Sequence, residues 1–304
     1  MRAPEFWHEP PGLAAGLLAP AGAAWDLAAR LRRAVARLFT DRGISVHVVT
    51  RGYRGKAAGP VQVDPARHDA DAVGDEALLL AAVAPCWVAK DRAPGIAAAV
   101  KAGAQAILLD DGFQNPSVAK DLSLVVVDAE YGFGNGRVMP AGPLREPVAA
   151  GLARADALVL IGDAPTPSEL SGASCPVLRA AVEPMNGDRF RNARIVAFAG
   201  IGRPEKFFAM LRRLGGQLVA THAFGDHHPY RGKDIAELRE TAARGNAQLL
   251  TTAKDWVRLH PGLRAGIEVL DIEVRWRDPV MLHRVLDPFL PQAGDGRDAR
   301  AARG

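Results

Sequence analysis

The feature that most constrains this chain is a repeated alternation. Short, continuous apolar runs of strand length are separated by helix-like patterns. The runs are "ISVHVV" (44–49), "CWVA" (86–89), "AILL" (106–109), "LSLVVVD" (122–128), "ALVLI" (157–161), "VLRAAV" (177–182), "IVAFAG" (195–200), "QLVATHA" (217–223) and "QLLTT" (248–252). Most lack the polar alternation of a half-exposed strand, so both faces must be covered. Helical patterns fall between them, as in "DEALLLAAV" (75–83), "PEKFFAMLRRL" (204–214) and "KDIAELRETAAR" (233–244). The second has Pro204 at a favourable first helical position. The third has an acidic start and a basic end, which suits the helix dipole. Strands alternating with helices predict an α/β fold with parallel sheets. No internal repeat is present. "GDAPTPSELSGAS" (162–174) reads as a linker and is the expected domain boundary. The tail from 291 to 304 reads as disordered.

In parallel α/β sheets, ligands gather at the carboxyl ends of strands. There "AILLDDGFQN" places Asp110 and Asp111 side by side after an apolar strand. Two adjacent carboxylates repel, so a cation, a hydrogen-bond network or a raised pKa must offset them. A strand-end acid pair can hold Mg²⁺ in phosphate-transfer enzymes, while a single such Asp is more often a turn cap. Locally, Asp75 and Glu76 in "VGDEALLL" are first-turn helix acids. "FGDHHPY" (224–230) puts Asp226, His227 and His228 in a polar loop. A loop histidine there suits acid–base chemistry, and two neighbours without a third ligand argue against zinc. The seventeen-residue loop "YGFGNGRVMPAGPLREP" (131–147) carries Arg137 and Arg145. It is long for an idle connection, and arginine favours phosphate or carboxylate. "AGIGRPEKF" (199–207) has the look of a phosphate loop after a strand, although close strand–helix packing explains its glycines equally.

Composition narrows the partners. The net charge is +4 and the pI about 9.3, which suits anionic partners. Aromatics make up 6% with no basic–aromatic interleaving, so nucleic acid is not expected. Cys86 and Cys175 form no disulfide or metal pattern, which points to a reducing compartment. Pro10 to Trp25 carries no charge, is interrupted by Pro20 and is too short for a spanning helix. As a signal peptide it is poor, since Glu5 and Glu9 oppose Arg2. Arg30, Arg32, Arg33, Arg37 and Arg42 follow it against Asp26 and Asp41. Two readings stay open: an interfacial anchor on an anionic membrane, and a helix packed on the core.

The ordered set "APEFW" (3–7), "RGYRG" (51–55), "VGDE" (73–76), "LLDDGFQN" (108–115), "GFGNGRVMPAGPLREP" (132–147), "FGDHH" (224–228) and "TTAKDWVRL" (251–259) resembles the tetraacyldisaccharide 4'-kinase (lipid A 4'-kinase) family. The likeness covers nearly the whole chain. It implies a P-loop-kinase-like parallel-sheet domain (36–165), a smaller α/β domain (166–290) and an N-terminal membrane-associated helix (1–35). It implies ATP- and Mg²⁺-dependent phosphorylation of the 4' hydroxyl of a lipid A disaccharide precursor. The expected setting is the cytoplasmic face of a Gram-negative inner membrane, with the chain as a peripheral or monotopic monomer. By resemblance, Asp110 and Asp111 serve Mg²⁺, and Asp75 is the catalytic acid with His227 as its partner. Glu76, Gln114, Arg137 and Arg145 are expected to meet substrate or phosphate.

One family element is absent. A Walker A loop normally precedes "RGYRG", with backbone N–H groups and a lysine around the phosphates. Here Lys56, Lys90, Lys101, Lys120, Lys206, Lys233 and Lys254 are the lysines, and none precedes Ser or Thr. "AARLRRAVA" (28–36) runs directly into "RLFTDRGISVHVV" (37–49), so a strand, the loop and about two helical turns are missing, on the order of 25 residues. The absent strand belongs beside the strand ending at Asp110, where an apolar gap and unpaired backbone groups are expected. Slow phosphorylation follows, and the alternative function is a non-catalytic, membrane-bound lipid-binding relative. An unrelated Mg²⁺ phosphohydrolase would account for Asp110 and Asp111 but not for the ordered motifs.

Overall fold

The structure, a computed structural model, describes residues 23–290. The chain opens on helix α1 (Ala23–Asp41), then β1 (Val46–Thr50), β2 (Val61–Gln62), α2 (Ala70–Val73), α3 (Asp75–Ala81), β3 (Cys86–Val88), α4 (Arg92–Lys101) and β4 (Ala106–Leu109). It continues through β5 (Leu124–Asp128), α5 (Val148–Leu152), β6 (Ala157–Ile161) and β7 (Val177–Pro184). Next come β8 (Arg194–Ala199), α6 (Pro204–Arg213), β9 (Gln217–Ala223), α7 (Gly232–Arg244), β10 (Gln248–Thr252), α8 (Ala253–Arg258) and β11 (Ile267–Leu270). Strand β12 (Ile272–Trp276) and helix α9 (Pro279–Leu286) follow.

Among the described residues these strands form three four-stranded sheets, in the orders β2-β3-β1-β4, β5-β6-β7-β12 and β11-β10-β8-β9. Pairing is parallel except for β2 with β3 and β7 with β12. The expected α/β class is therefore present. The linker-like stretch 162–174 does not separate two sheets. It carries the chain from β6 to its parallel neighbour β7, and β12 returns to pair with β7. The expected boundary at 165/166 is thus displaced: β8 to β11 form the second unit, and β7, β12 and α9 belong with the first half. Proline and glycine mark a turn there, but they do not say which sheet the next strand joins.

The first two sheets face each other across a gap. Among the described residues strand β4 pairs only with β1, and β5 only with β6. A cavity of about 2180 Å³ has Ala106–Leu109 in one wall and Ser123–Val126 in another. The AILL residues of β4 are only half-buried, whereas the equally apolar β6 is buried throughout. This is the gap expected beside the strand that ends at Asp110. Helix α1 bridges it from one side. Leu31, Val35 and Phe39 recur every four residues on one helix face. They share a core cluster with Val46, Val48 and Val88 of one sheet and with Val159, Ile161 and Leu178 of the other.

Of the two readings left open, the described part of α1 shows the helix packed on the core. Two of its arginines meet acids of the same chain, Arg32 with Asp110 and Arg37 with Glu273, and Arg42 just past its end pairs with Asp287 at 3.0 Å. A basic helix edge can satisfy anionic lipid or protein carboxylates, and here protein carboxylates are in reach. The expected apolar anchor before it (Leu13, Leu17 and Leu18) and the expected disordered tail lie outside the described residues. Among the described residues no helix is long and apolar enough to cross a membrane.

The second unit covers its sheet on both faces. Phe207, Phe208 and Leu211 of α6 pack on Ile195, Ala197 and Leu250. Ile235, Leu238 and Ala242 of α7 pack on Val196, Phe198 and Leu249. Helical spacing puts each apolar triplet on one face, and full burial of each large side chain stabilises by about 1.5–3 kcal/mol.

Candidate active site

Asp75 opens α3 directly after Gly74, whose φ of 90° only glycine adopts readily. A Cβ at Gly74 would also stand 2.7 Å from the Tyr53 carbonyl, so the turn is packed against the "RGYRG" loop. Asp75 is buried, and its Oδ1 accepts the Glu76 N–H at 2.9 Å. Three nitrogens converge on its Oδ2. His227 Nδ1 lies at 3.0 Å, Arg258 Nε donates at 2.7 Å, and Arg258 Nη2 lies at 2.6 Å. Burial pushes this carboxyl up. The His227 hydrogen bond and the charges of Lys254 and Arg258 outweigh it and hold the group well below the usual carboxylate range.

His227 follows β9 in a loop and has φ 58°, a conformation uncommon for a residue with a Cβ. Its backbone N–H donates to the Gly200 carbonyl at 2.9 Å. Such strain is held only where surrounding contacts determine it, and it concentrates at functional sites. The ring of Tyr53 meets the His227 ring edge-on at 6.2 Å. His228 turns away and contacts Asp234 at 3.1 Å. The motif resemblance paired Asp75 with His227, and the structure places them 3.0 Å apart.

The two adjacent acids are offset by cations from different elements. Asp110 is buried at the end of β4, accepts the Thr50 hydroxyl at 2.6 Å and faces Arg32 Nη2 at 2.8 Å. Its carbonyl accepts from the buried Arg92. Asp111 has φ 55° and takes Arg145 Nη1 on both oxygens, at 2.7 and 2.9 Å. Arginine thus neutralises each carboxylate in this state.

Asp75, Glu76, Asp110, Asp111, Gln114, Arg145 and His227 all line the same cavity. Lys254 Nζ lies 3.8 Å from Glu76. Gln114 donates to Glu146 at 3.0 Å. Arg137 is not brought in: its side chain is exposed, and its carbonyl closes the loop by accepting from Leu144. In "AGIGRPEKF", Gly202, Arg203 and Lys206 line the same cavity. Gly200 donates to Asp255 at 2.9 Å, the Arg203 guanidinium stacks 3.5 Å from the Tyr131 ring centroid, and Lys206 pairs with Glu130 at 2.7 Å. Its cations are engaged by the β5 end of the cavity.

Sequence reasoning placed Arg32 only in the basic stretch of an interfacial anchor and assigned no role to Lys254, Asp255 or Arg258. The last three sit in "TTAKDWVRL". Lys254 and Arg258 fall four apart on the short α8, one helical turn, which was the available signal.

Two groups implied by the resemblance can be tested against these residues. Oxygen donors suit Mg²⁺; Asp110, Asp111 and the Thr50 hydroxyl offer them, with Arg32 and Arg145 on the two carboxylates. Among the described residues no cluster of three or more His, Cys, Asp or Glu is placed to hold a metal. For a nucleotide, the carboxylate side is present. The glycine-rich loop that would surround the phosphates is absent from the sequence, and the gap between β4 and β5 opens beside Asp110 instead.

The family model for tetraacyldisaccharide-1-P 4'-kinase matches residues 17–290. Tetraacyldisaccharide 4'-kinase of Rhodospirillum centenum is 44% identical over 337 aligned positions, covering 99% of this chain and 100% of the relative. Those positions outnumber the 304 residues here, so part of the relative has no counterpart in this chain. Tetraacyldisaccharide 4'-kinase of Dinoroseobacter shibae is 48% identical, covering 96% of this chain and 99% of the relative. A crystal structure of LpxK from Aquifex aeolicus in complex with ATP shares the fold, with TM-score 0.69 and 24% identity over 90% of this chain and 86% of that one. A matching family model and full-length relatives agree: this chain belongs to the tetraacyldisaccharide-1-P 4'-kinase family.

Proposed function

We propose that this chain transfers a phosphoryl group from ATP, with Mg²⁺, to the 4' hydroxyl of the tetraacyldisaccharide 1-phosphate precursor of lipid A. The observation that carries this reading is the contact of Asp75 with His227, 3.0 Å apart, lining the same cavity as Asp110 and Asp111. A sugar hydroxyl must shed its proton as it attacks phosphorus, and a positioned carboxylate can accept it. Oδ2 of Asp75 is taken by Arg258 and His227, so Oδ1 is the oxygen for that proton. The strongly depressed carboxyl makes Asp75 a weak base, which phosphoryl transfer tolerates because its loose transition state asks little of the nucleophile. Asp110 and Asp111 would hold Mg²⁺, which when bound neutralises charge on the phosphates.

The net basic charge suits an anionic substrate at an anionic membrane surface, the cytoplasmic face of a bacterial inner membrane. With no phosphate-cradling loop in the sequence, transfer by the chain as written should fall below the roughly 1–100 per second usual for kinases. No observation favours the non-catalytic lipid-binding alternative. The test is incubation of the purified chain with ATP, Mg²⁺ and the tetraacyldisaccharide 1-phosphate, followed by mass and fragment analysis. A 4'-phosphorylated product supports the reading, and complete absence of product after prolonged incubation with excess protein rejects it.

A further inference from the structure

Arg258 lies on α8, which packs against α3, and its residue type announces no role. Its side chain is 6% exposed, and so is that of Asp75 beside it. Burying two charges costs several kcal/mol per ion unless both are paired and hydrogen-bonded. The Arg258 fork is held on two sides. Nε and Nη2 meet Asp75 Oδ2 at 2.7 and 2.6 Å. Nη1 donates to the Gly200 carbonyl at 2.7 Å and to Asp255 Oδ1 at 3.1 Å.

Asp255 is itself fully buried and held on both oxygens. Oδ1 accepts from the Gly200 N–H and the Tyr230 hydroxyl, each at 2.9 Å, and Oδ2 accepts the Thr252 hydroxyl at 2.6 Å. Burial pushes the Asp255 carboxyl up, and the Arg258 charge and these donors oppose it. Burial and the Asp255 charge also push the Tyr230 phenol far up, so it stays a donor. Gly200 leaves no room for error: a Cβ there would lie 3.0 Å from the Tyr230 hydroxyl and 3.2 Å from Asp255 Oδ1. The same Gly200 carbonyl accepts the backbone N–H of His227. One peptide group therefore locates both partners of Asp75.

We propose that Arg258, held by Asp255 and Gly200, is a positioning residue for Asp75. It fills Oδ2 from the α8 side while His227 approaches the same oxygen, and this turns Oδ1 toward the acceptor hydroxyl. The inference rests on the reading of Asp75 as the proton acceptor. A plain structural staple between α3 and α8 would need the ion pair but not the choice of oxygen. Lysine could supply the staple's charge. It could not supply the two-nitrogen fork on Oδ2 together with the Gly200 and Asp255 bonds.

The test is the ¹³C-carboxyl titration of Asp75, assigned with Asp75→Asn, in the wild type, Arg258→Gln and Arg258→Lys, beside single-turnover phosphorylation. In Arg258→Gln the Asp75 midpoint should rise by about one pH unit or more, since a paired cation is lost. The single-turnover rate should drop by about tenfold or more at unchanged half-saturating lipid, since a displaced base costs rate rather than binding. Arg258→Lys, the safer variant for folding, should restore part of the titration shift but little of the rate. An unmoved midpoint in Arg258→Gln, or a wild-type rate in Arg258→Lys, would overturn the proposal. Failure of the underlying reading shows separately, as full activity in Asp75→Asn.

Discussion

Leu108 and Leu250 are the same residue at the middle of parallel strands, and truncating each to alanine should cost very different amounts. Leu250 is fully buried in β10 between β8 and β11, under a covered sheet. Leu250→Ala should leave an enclosed void and cost about 3–4 kcal/mol. Leu108 is half-buried in β4 and already lines the cavity toward β5. Its truncation removes only part of a transfer contribution and encloses no new void, so the cost should be about 1 kcal/mol. Urea unfolding followed by tryptophan fluorescence reads both, with Trp87 and Trp276 in the first half and Trp256 in the second unit. Hydrogen exchange should agree, with β4 amides less protected than β10 amides. If Leu108→Ala costs as much as Leu250→Ala, the two half-sheets are closed against each other in solution, and the account of a vacated strand position is wrong.

Two further outcomes follow from the charges. The Asp75 carboxyl is held below its ordinary value of 3.8, so its ionised form contributes stability that is full above about pH 3.8 and lost as pH falls toward the depressed folded value; Asp75→Asn should flatten the acid limb of a pH-stability curve, and an unchanged slope below pH 3.8 would contradict this. Arg32 faces Asp110 at 2.8 Å, so if Asp110 holds the metal as proposed, Arg32→Gln should tighten Mn²⁺ binding several-fold by spin-resonance titration, whereas unchanged affinity would contradict that placement.

Much of the fold was legible because β4, β6, β9 and β10 are apolar runs bounded by turn residues, and they form where the pattern places them. Strands β11 and β12 escaped notice. "IEVL" and "IEVRW" alternate with charges, and the antiparallel pairing of β12 with β7 depends on contacts far away in sequence. The pairing of Asp75 with His227 came from motif resemblance, and their spacing in the chain alone says nothing of their 3.0 Å meeting. Arg32 shows the limit most clearly. On α1 it looks like part of a lipid-facing basic edge, and only the path of α1 over β1 and β5 reveals Asp110 as its partner. Asp255 and Arg258 were invisible as a unit because their partners Gly200, Tyr230 and Asp75 lie on other elements.

The most direct measurement is single-turnover transfer of labelled phosphoryl from ATP–Mg²⁺ to the tetraacyldisaccharide 1-phosphate, comparing the chain with its Asp75→Asn variant under excess protein. A slow but measurable rate for the chain, reduced in the variant by about 10²–10⁴-fold as for loss of a general base, is the result expected if Asp75 and His227 form the acceptor side of a lipid kinase. Equal rates in the two proteins would contradict it.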